Sequence, residues 1–275
     1  MAETGKEESN GELTLLERII EEGGMVNNPT QESYARLMLG QFATELLDEG
    51  MKFGPDSDVV AMINERISTI DALLSDHLNE IMHHEDFQNI EAAWTGLRDM
   101  VFGTETGPKL KLRLLNVSKK ELLKDLETAV DYDMSNLFKK VYEDEYGTFG
   151  GSPYSMLLSD FYFSRHPQDI ALLEKISKVA AAAHAPFVAA ADPALFDMKS
   201  FTDLGTPRDM SKIFESAELI TWRSFRESED SRYVSLVLPR YAARLPFGSK
   251  FVPVESFSFE EDVDGKDHSK YLWAN

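Results

Sequence analysis

Hydrophobic positions in residues 30–101 recur at steps of three and four, the period of amphipathic helices. The pattern predicts one helix from Gln31 to Glu49, which Gly50 ends, a second from about Ser57 to His83, and a third around Phe87 to Phe102. The second helix carries most of its apolar side chains on one stripe, as expected for a helix that buries one face. The main body of the chain therefore begins with a helical region, which is not an obvious enzyme fold.

The period changes after Gly107-Pro108. Lys109 to Val117 alternates like a strand, and Ser118 then caps a helix. Strand–helix–strand alternation continues to the end of this part, which predicts an α/β fold: an N-terminal helical region followed by a mixed sheet layered with helices. The further strands are expected at Tyr154–Phe163, Pro186–Ala191 and Tyr233–Leu238, and the main helices at about Asn136–Glu145 and Pro167–His184.

Four segments follow from these changes in pattern. Residues 1–29 are expected to be a flexible N-terminus that carries one short helix, and residues 30–106 the helical region. Residues 107–251 are expected to form the α/β core domain, and residues 252–275 an acidic, loop-like segment.

The short N-terminal helix is predicted from Thr14 to Gly24, with capping-box spacing at its start and glycines at its end. An isolated helix of this length is marginal in water and needs a partner for its apolar face. Two interpretations stay open: the helix packs on the chain's own core, or it docks on another protein. The docking positions would be Leu15, Leu16, Ile19 and Ile20.

Charge and composition narrow the function. The 275 residues carry a formal net charge of −20, which repels phosphate backbones and anionic lipid, so neither nucleic acid nor a membrane surface is an expected partner. The chain contains no cysteine, which excludes disulfides, thiolate metal sites and cysteine nucleophiles. No secretory signal and no apolar run of roughly 20 residues is visible. A soluble cytoplasmic protein without membrane insertion is the expectation.

Candidate chemistry is sparse, and no catalytic, cofactor-binding or metal site is predicted. His77 and His84 stand seven residues apart, about 10 Å along one helix, which is too far to share one ion without a third element. A helix end explains the HHED sequence better than a metal site. The glycines after Tyr146 match no phosphate-loop pattern and favour a turn that places Tyr146 and Phe149 against the sheet. His166 and His184, beside prolines, are expected to be satisfied core residues.

The densest polar cluster lies in WRSFRESEDSRY. Its mixed charges could pair within the chain or bridge subunits, since arginine forks suit carboxylates. No histidine nearby supplies a titrating base, so the cluster is interpreted as structural or interfacial. Its members are Arg223, Arg226, Glu227, Glu229, Asp230 and Arg232.

Several segments also resemble the large sheath subunit of the bacterial type VI secretion system (TssC/VipB family). The resemblance runs from about residue 80 to the end, and the first 55 residues match more loosely. The matching segments are IMHHEDFQNIEAAWTGL (Ile81–Leu97), KLRLLNVSKKEL (Lys111–Leu122), YEDEYGTFGGSPY (Tyr142–Tyr154), HPQDIALLEKISKVAAAAHAPFVAAA (His166–Ala191), PRDMSKIFES (Pro207–Ser216) and WRSFRESEDSRYVSLVLPRYAARLPFG (Trp222–Gly248).

The resemblance implies a contractile-sheath type of fold and a non-catalytic structural role. It implies an obligate heterodimer with a small sheath subunit, contacts with neighbouring heterodimers and a baseplate, and a tubule around an inner tube of stacked hexamers. It also implies disassembly by an AAA+ ATPase, which in some members grips a short N-terminal helix. That expectation favours docking over core packing for Leu15, Leu16, Ile19 and Ile20.

Two departures from the family pattern and two rival functions complete the interpretation. Members of this family continue well beyond SKYLWAN, so a C-terminal half is expected that this sequence lacks, and the N-terminal helix varies among them. One rival is an adaptor that recruits an AAA+ ATPase without forming a sheath. The other is a metal-dependent hydrolase that uses His77 and His84.

Overall fold

The computed structural model of the protein describes Ile20, Val26 and residues 28–48, 59–205 and 209–274. The chain divides into two compact units, residues 1–67 and residues 68–275. The predicted boundaries at residues 29, 106 and 251 stay predictions, because they concern smaller segments than these units.

The described part of the N-terminal unit is helical, as the apolar period predicts. A 3-10 turn (Pro29–Gln31) leads into helix α1 (Glu32–Asp48). An ion pair one turn apart, between Arg36 and Glu32 at 2.8 Å, supports α1 on its exposed side.

Two long helices follow. Helix α2 (Val59–Met82) contains the boundary between the units, and helix α3 (Glu85–Phe102) lies wholly in the second unit. His84 lies at the N-terminus of α3, where its ring Nδ1 accepts a hydrogen bond from the backbone N–H of Asp86 at 3.3 Å. The predicted helix end in the HHED sequence is confirmed, because α2 stops one residue before this pair of histidines.

The second unit is built around a parallel sheet in the order β1-β2-β3. The strands are β1 (Leu157–Phe163), β2 (Phe187–Ala191) and β3 (Val234–Val237). Parallel neighbours need a crossover connection, and a long helix between β1 and β2 supplies it. The predicted α/β class and these three strands are confirmed.

The helices α4 (Lys119–Thr128), α5 (Asn136–Phe138) and α6 (Pro167–Ala182) pack together beside the sheet. Ser118 and Glu121 form the reciprocal capping box that starts α4, with backbone-to-side-chain bonds of 2.9 and 3.2 Å. Pro167 opens α6 as predicted, because proline fits the first helical turn. The core joins α6 to β2 through residues that are at most 1% exposed: Phe163, Ile170, Leu172, Leu173, Ile176, Val179, Ala180, Ala189 and Ala191.

The remaining described elements are short. α5 continues directly into a π-helix (Lys139–Tyr146), and helices α7 (Met210–Phe214) and α8 (Ile220–Glu227) precede β3. A small antiparallel pair joins β4 (Tyr241–Ala242) to β5 (Trp273–Ala274). The 3-10 turns of the second unit are Tyr132–Met134, Pro193–Phe196, Phe201–Gly205, Ala217–Leu219, Glu229–Tyr233 and His268–Lys270.

Three predictions about one strand and two histidines are wrong. The strand predicted from Lys109 to Val117 is not formed, because it pairs with no strand among the described residues. His166 is exposed and lies at the N-terminus of α6, where its ring accepts from the backbone N–H of Gln168 at 3.3 Å. His184 is also exposed, in a left-handed conformation (φ 52°) just after α6 ends.

Within the described ranges, every helix is too short or too polar to cross a lipid bilayer.

Phe163 provides a test of the core. Its side chain is 0% exposed and packs edge-on against Phe187 at a ring-centroid distance of 6.1 Å. We expect Phe163→Ala to lower the free energy of unfolding by about 3–5 kcal/mol, because it leaves a cavity beside the sheet. Phe102, which is 83% exposed, is the matched control, and Phe102→Ala should change the value by about 0.5 kcal/mol or less. Equal urea-unfolding midpoints for the two variants would contradict this core.

Candidate interaction surfaces

The arginine–carboxylate cluster of WRSFRESEDSRY does not converge on one point. Arg223 turns inward: its Nη1 donates to the carbonyl oxygens of Phe214 at 2.8 Å and Ser216 at 2.7 Å. These bonds satisfy carbonyl groups at the end of α7 and fasten α8 to that turn. Arg223 therefore has a structural role within the chain.

The other members of the cluster lie on or near the surface. Arg232 pairs with Glu229 one turn away, and both side chains are more than half exposed. Arg226 and Glu227 are exposed and form no ion pair with any described residue, and Asp230 is half-buried. An exposed ion pair such as that of Arg232 with Glu229 adds little to the free energy of unfolding. The interfacial role predicted for these five residues stays a prediction.

Side chains hold the segment from Lys109 to Val117, the predicted strand that does not form, in place. Arg113 forms an ion pair with Glu145 at the end of the π-helix, and its guanidinium carbon lies 5.5 Å from the ring centroid of Tyr154. The hydrogen bond from Arg113, followed by that from the backbone of Ser152, holds the pKa of Glu145 below its usual value. Lys111 reaches Ser152 Oγ at 3.3 Å. The segment is thus tied to the loop that follows the π-helix.

That loop is a turn, as its glycines predict. Gly150 adopts a positive φ of 84°, and a Cβ on Gly151 would lie 2.3 Å from the carbonyl oxygen of Glu145. The side chain of Phe149, which directly precedes Gly150, is fully exposed, so the prediction that it packs against the sheet is wrong. The turn therefore presents an aromatic ring to the surface of the described unit.

The main chain of residues 111–117, which we call the 111–117 segment, is unpaired. Its backbone groups form no hydrogen bond with any described residue. Three of its leucines are exposed: Leu112 by 38%, Leu114 by 70% and Leu115 by 50%. Exposed leucines beside unpaired backbone groups are typical of a surface that binds another chain.

Helix α3 has a second apolar surface, which we call the α3 apolar face. Phe87, Ile90, Trp94 and Val101 follow one another at helical spacing on one side of the helix. They are exposed by 42%, 60%, 65% and 38%, respectively. A monomer seldom exposes such a row, because burying each large apolar side chain is worth about 1.5–3 kcal/mol.

A buried ionic network fastens the acidic C-terminal segment to the helices. Arg244 donates to Glu261 at 2.7 and 3.2 Å and to Glu91 of α3 at 2.7 Å. Glu261 is only 7% exposed and also accepts from the backbone N–H of Phe247 at 2.8 Å. Burial alone would lower the pKa of Arg244, but its hydrogen bonds to Glu261 and Glu91 outweigh that effect and raise the pKa.

The residues around this network extend the attachment. Asn79 near the end of α2 bonds the backbone on both sides of Glu261, donating to the carbonyl of Glu260 at 3.3 Å and accepting from Asp262 N–H at 2.9 Å. His83 Nε2 lies 3.6 Å from Glu261 Oε1, beyond hydrogen-bond distance. The acidic segment is therefore packed against α2 and α3, although it lacks long regular elements.

The predicted docking helix falls mainly outside the described residues. Leu15, Leu16 and Ile19 are not among them. Ile20 is described; it is helical and 3% exposed. The docking role of these four residues stays a prediction.

The histidines form no metal site in the part of the chain that the structure describes. There, no three His, Asp or Glu side chains converge as an ion would need. His84 caps α3 and His83 lies beside Glu261, so the two histidines of the HHED sequence face different surroundings.

Together these features define an α/β unit whose distinctive surfaces are apolar or have an unpaired main chain, as in a subunit of a larger assembly. The family model of the EvpB/VC_A0108 tail sheath N-terminal domain, VipB, matches residues 64–275. The chain belongs to this tail sheath family, as the resemblance implies.

One curated relative is the type VI secretion system sheath protein TssC1 of Pseudomonas aeruginosa PAO1. It is 51% identical to this chain over 221 residues, which cover 80% of the chain and 44% of the relative. The chain thus spans less than half the length of that protein.

Glu261 provides a test of the ionic network. We expect Glu261→Gln to lower the free energy of unfolding by about 2–4 kcal/mol, because Arg244 and its neighbours lose a buried anionic partner. Amide hydrogen exchange in residues 244–262 should also accelerate. Glu255→Gln is the matched control, since Glu255 is exposed and should tolerate the change. Unchanged exchange in the Glu261 variant would show that the network does not hold this segment.

Proposed function

We propose that this chain is the sheath-forming part of a large type VI secretion sheath subunit and that it acts in the cytoplasm. It pairs with a small sheath subunit, and the pairs stack into a tubule around an inner tube of stacked hexamers. The observation that carries the proposal is the α3 apolar face, an exposed row of large side chains in a chain of the tail sheath family.

The exposed surfaces support pairing by a physical argument. Interface cores are enriched in aromatic and large aliphatic side chains and depleted of charge. Trp94 and Phe87 of the α3 apolar face fit that composition and come from a rigid helix, which loses little entropy on binding. The fully exposed Phe149 fits it in the same way.

Contraction, under this proposal, is a repacking of subunits whose internal folds do not change. Two lattices of the same subunits differ in free energy, and the transition is a shift between them. The buried α6–β2 core supports this part of the proposal, since a close-packed core resists deformation and leaves the change to the surfaces. Neighbouring pairs and a baseplate are the other expected partners.

Pairing is tested by co-expressing the chain with a small sheath subunit and purifying it by a tag on the latter. We expect a stoichiometric complex, and we expect Ile90→Asp to reduce its recovery by about tenfold, because a desolvated charge costs more than 1.4 kcal/mol at an interface. Val130→Asp is the matched control: Val130 is 100% exposed and lies in the loop after α4, outside the α3 apolar face.

Recovery of no complex from the unaltered chain would reject pairing. Equal loss in the Ile90 and Val130 variants would reject the α3 apolar face as the contact. Circular dichroism of each variant alone shows whether its fold is intact.

The N-terminal helix is proposed as the site that the AAA+ ATPase grips. An amphipathic helix whose apolar face enters a groove is a common recognition mode, and Leu15, Leu16, Ile19 and Ile20 supply such a face. Titrating the whole chain against the N-terminal domain of the ATPase should give an affinity that Ile19→Asp weakens by about tenfold or more. Glu8→Gln, which lies ahead of the helix, should have no effect. An affinity that Ile19→Asp leaves unchanged would exclude this docking site.

A further inference from the structure

The buried ionic network around Glu261 carries more negative than positive charge. Glu261 and Glu91 contribute two carboxylates, and Arg244 contributes the single guanidinium that bonds to both of them. The side chain of Glu261 is 1% exposed, and those of Arg244 and Glu91 are 17% and 22% exposed. Because a buried charge without a matching partner is costly, the excess of carboxylate charge favours a further cation at this place.

His83 is placed to supply that positive charge. Its ring Nε2 lies 3.6 Å from Oε1 of Glu261, and this buried nitrogen has no hydrogen-bond partner among the described residues. Oε2 of Glu91 is a second buried atom of the network without such a partner among them. A protonated imidazole directs an N–H with positive charge at the carboxylate, which makes a charge-assisted hydrogen bond possible. The cluster would then contain two cations and two carboxylates.

The other charged groups near His83 already have partners. Arg244 is the like charge in the cluster, and both of its Nη atoms donate to Glu261. Its hydrogen bonds to the two carboxylates raise the pKa of Arg244, so it stays charged throughout the range in which histidines titrate. The neighbouring His84 lies 3.8 Å from the carboxylate of Asp86, at the start of α3. The remaining pair beside the network joins Lys270 to Asp262.

Glu261 is the point at which residues 244–262 meet the end of α2. Asn79 and His83 are four residues apart and joined by a backbone hydrogen bond of 3.0 Å, so both lie on one side of the helix end. Asn79 bonds the backbone on either side of Glu261, and His83 faces its carboxylate. Glu261 also exchanges hydrogen bonds of 2.9 and 2.8 Å with the backbone of Phe247. A stronger contact between His83 and Glu261 would therefore hold the whole segment more firmly.

We propose that His83 is a pH-sensitive latch, whose protonation strengthens the attachment of residues 244–262 to helices α2 and α3 through Glu261. The protonated ring balances the excess carboxylate charge of the network, and the neutral ring does not. Because histidine changes its charge between about pH 5 and 8, the attachment is firmer at about pH 6 and looser at about pH 8. The latch lies within the chain, so it does not depend on the proposed function.

Amide hydrogen exchange of the whole chain, corrected for the intrinsic dependence of exchange on pH, tests the latch. Protection of residues 244–262 should be about fivefold greater at about pH 6 than at about pH 8. His83→Gln keeps a polar side chain that does not titrate and should make the two protections equal. His84→Gln is the matched control: that side chain is 65% exposed, and its variant should keep the fivefold ratio. Equal protection at both pH values in the unaltered chain, or a ratio that survives in His83→Gln, would overturn the proposal.

Glu91→Gln tests the charge balance. The variant keeps an oxygen that can accept from Arg244 Nε but removes one negative charge, so Arg244 alone then balances Glu261. Protonation of His83 would make that cluster positive, and the ratio of protections should fall from about fivefold to about twofold or less. Asp99→Asn removes the same charge at an exposed position of α3 and should leave the ratio unchanged. An undiminished ratio in Glu91→Gln would overturn the charge balance on which the latch rests.

Nuclear magnetic resonance of the unaltered chain supplies a second measurement that does not require any variant to fold. The ring resonances of His83 follow its protonation as the pH changes. The midpoint of that titration should coincide with the midpoint of the change in amide protection to within about 0.3 pH unit, because one proton governs both. Midpoints that differ by about one pH unit or more would show that another group controls the attachment, and would overturn the latch.

Discussion

The fold of the second unit depends on the close packing of helix α6 against the central strand β2. Small side chains on both elements permit it: Ala180 on the helix and Ala189 and Ala191 on the strand are at most 1% exposed. Because a close-packed interface tolerates neither voids nor insertions, this contact fixes where α6 ends and β2 begins. β1 and β3 then pair with the two edges of β2, which places the flanking helices and loops.

Local sequence signals were sufficient to predict those elements whose formation depends on residues close together in the chain. The helix cap at Ser118, the proline that opens α6 and the short strand β2 are confirmed, since each depends on residues that are neighbours in sequence. The Lys109–Val117 strand was wrong because a strand also needs a partner, and alternation shows only that one face is apolar. Arg244 could not be paired from the sequence, because Glu91 lies 153 residues away from it. A lone arginine in the apolar run AARLPFG was the only local sign that it is buried.

For the predicted site residues, too, the outcome depends on contacts that local sequence does not show. Arg223 is internal because two carbonyl oxygens at the end of α7 need donors, and no charge pattern in WRSFRESEDSRY distinguishes it from Arg226. The apolar period predicts helix α3, but periodicity cannot tell whether its apolar face lies in a core or at an interface. In both cases the deciding fact is which other element lies opposite. That fact belongs to tertiary structure for Arg223 and, under the proposed function, to assembly for α3.

The two unpartnered surfaces have different physical characters, and this difference bears on how a sheath could work. The α3 apolar face is non-directional, since apolar burial depends on area and not on the angle of approach. The 111–117 segment is directional, because a ladder forms only in one register at a time. Under the proposed function the α3 apolar face joins the two subunits of a pair and persists, and a directional main-chain contact would fix the orientation of the strand that it meets. Contraction would then change only the contacts between pairs, while the α6–β2 core stays as it is.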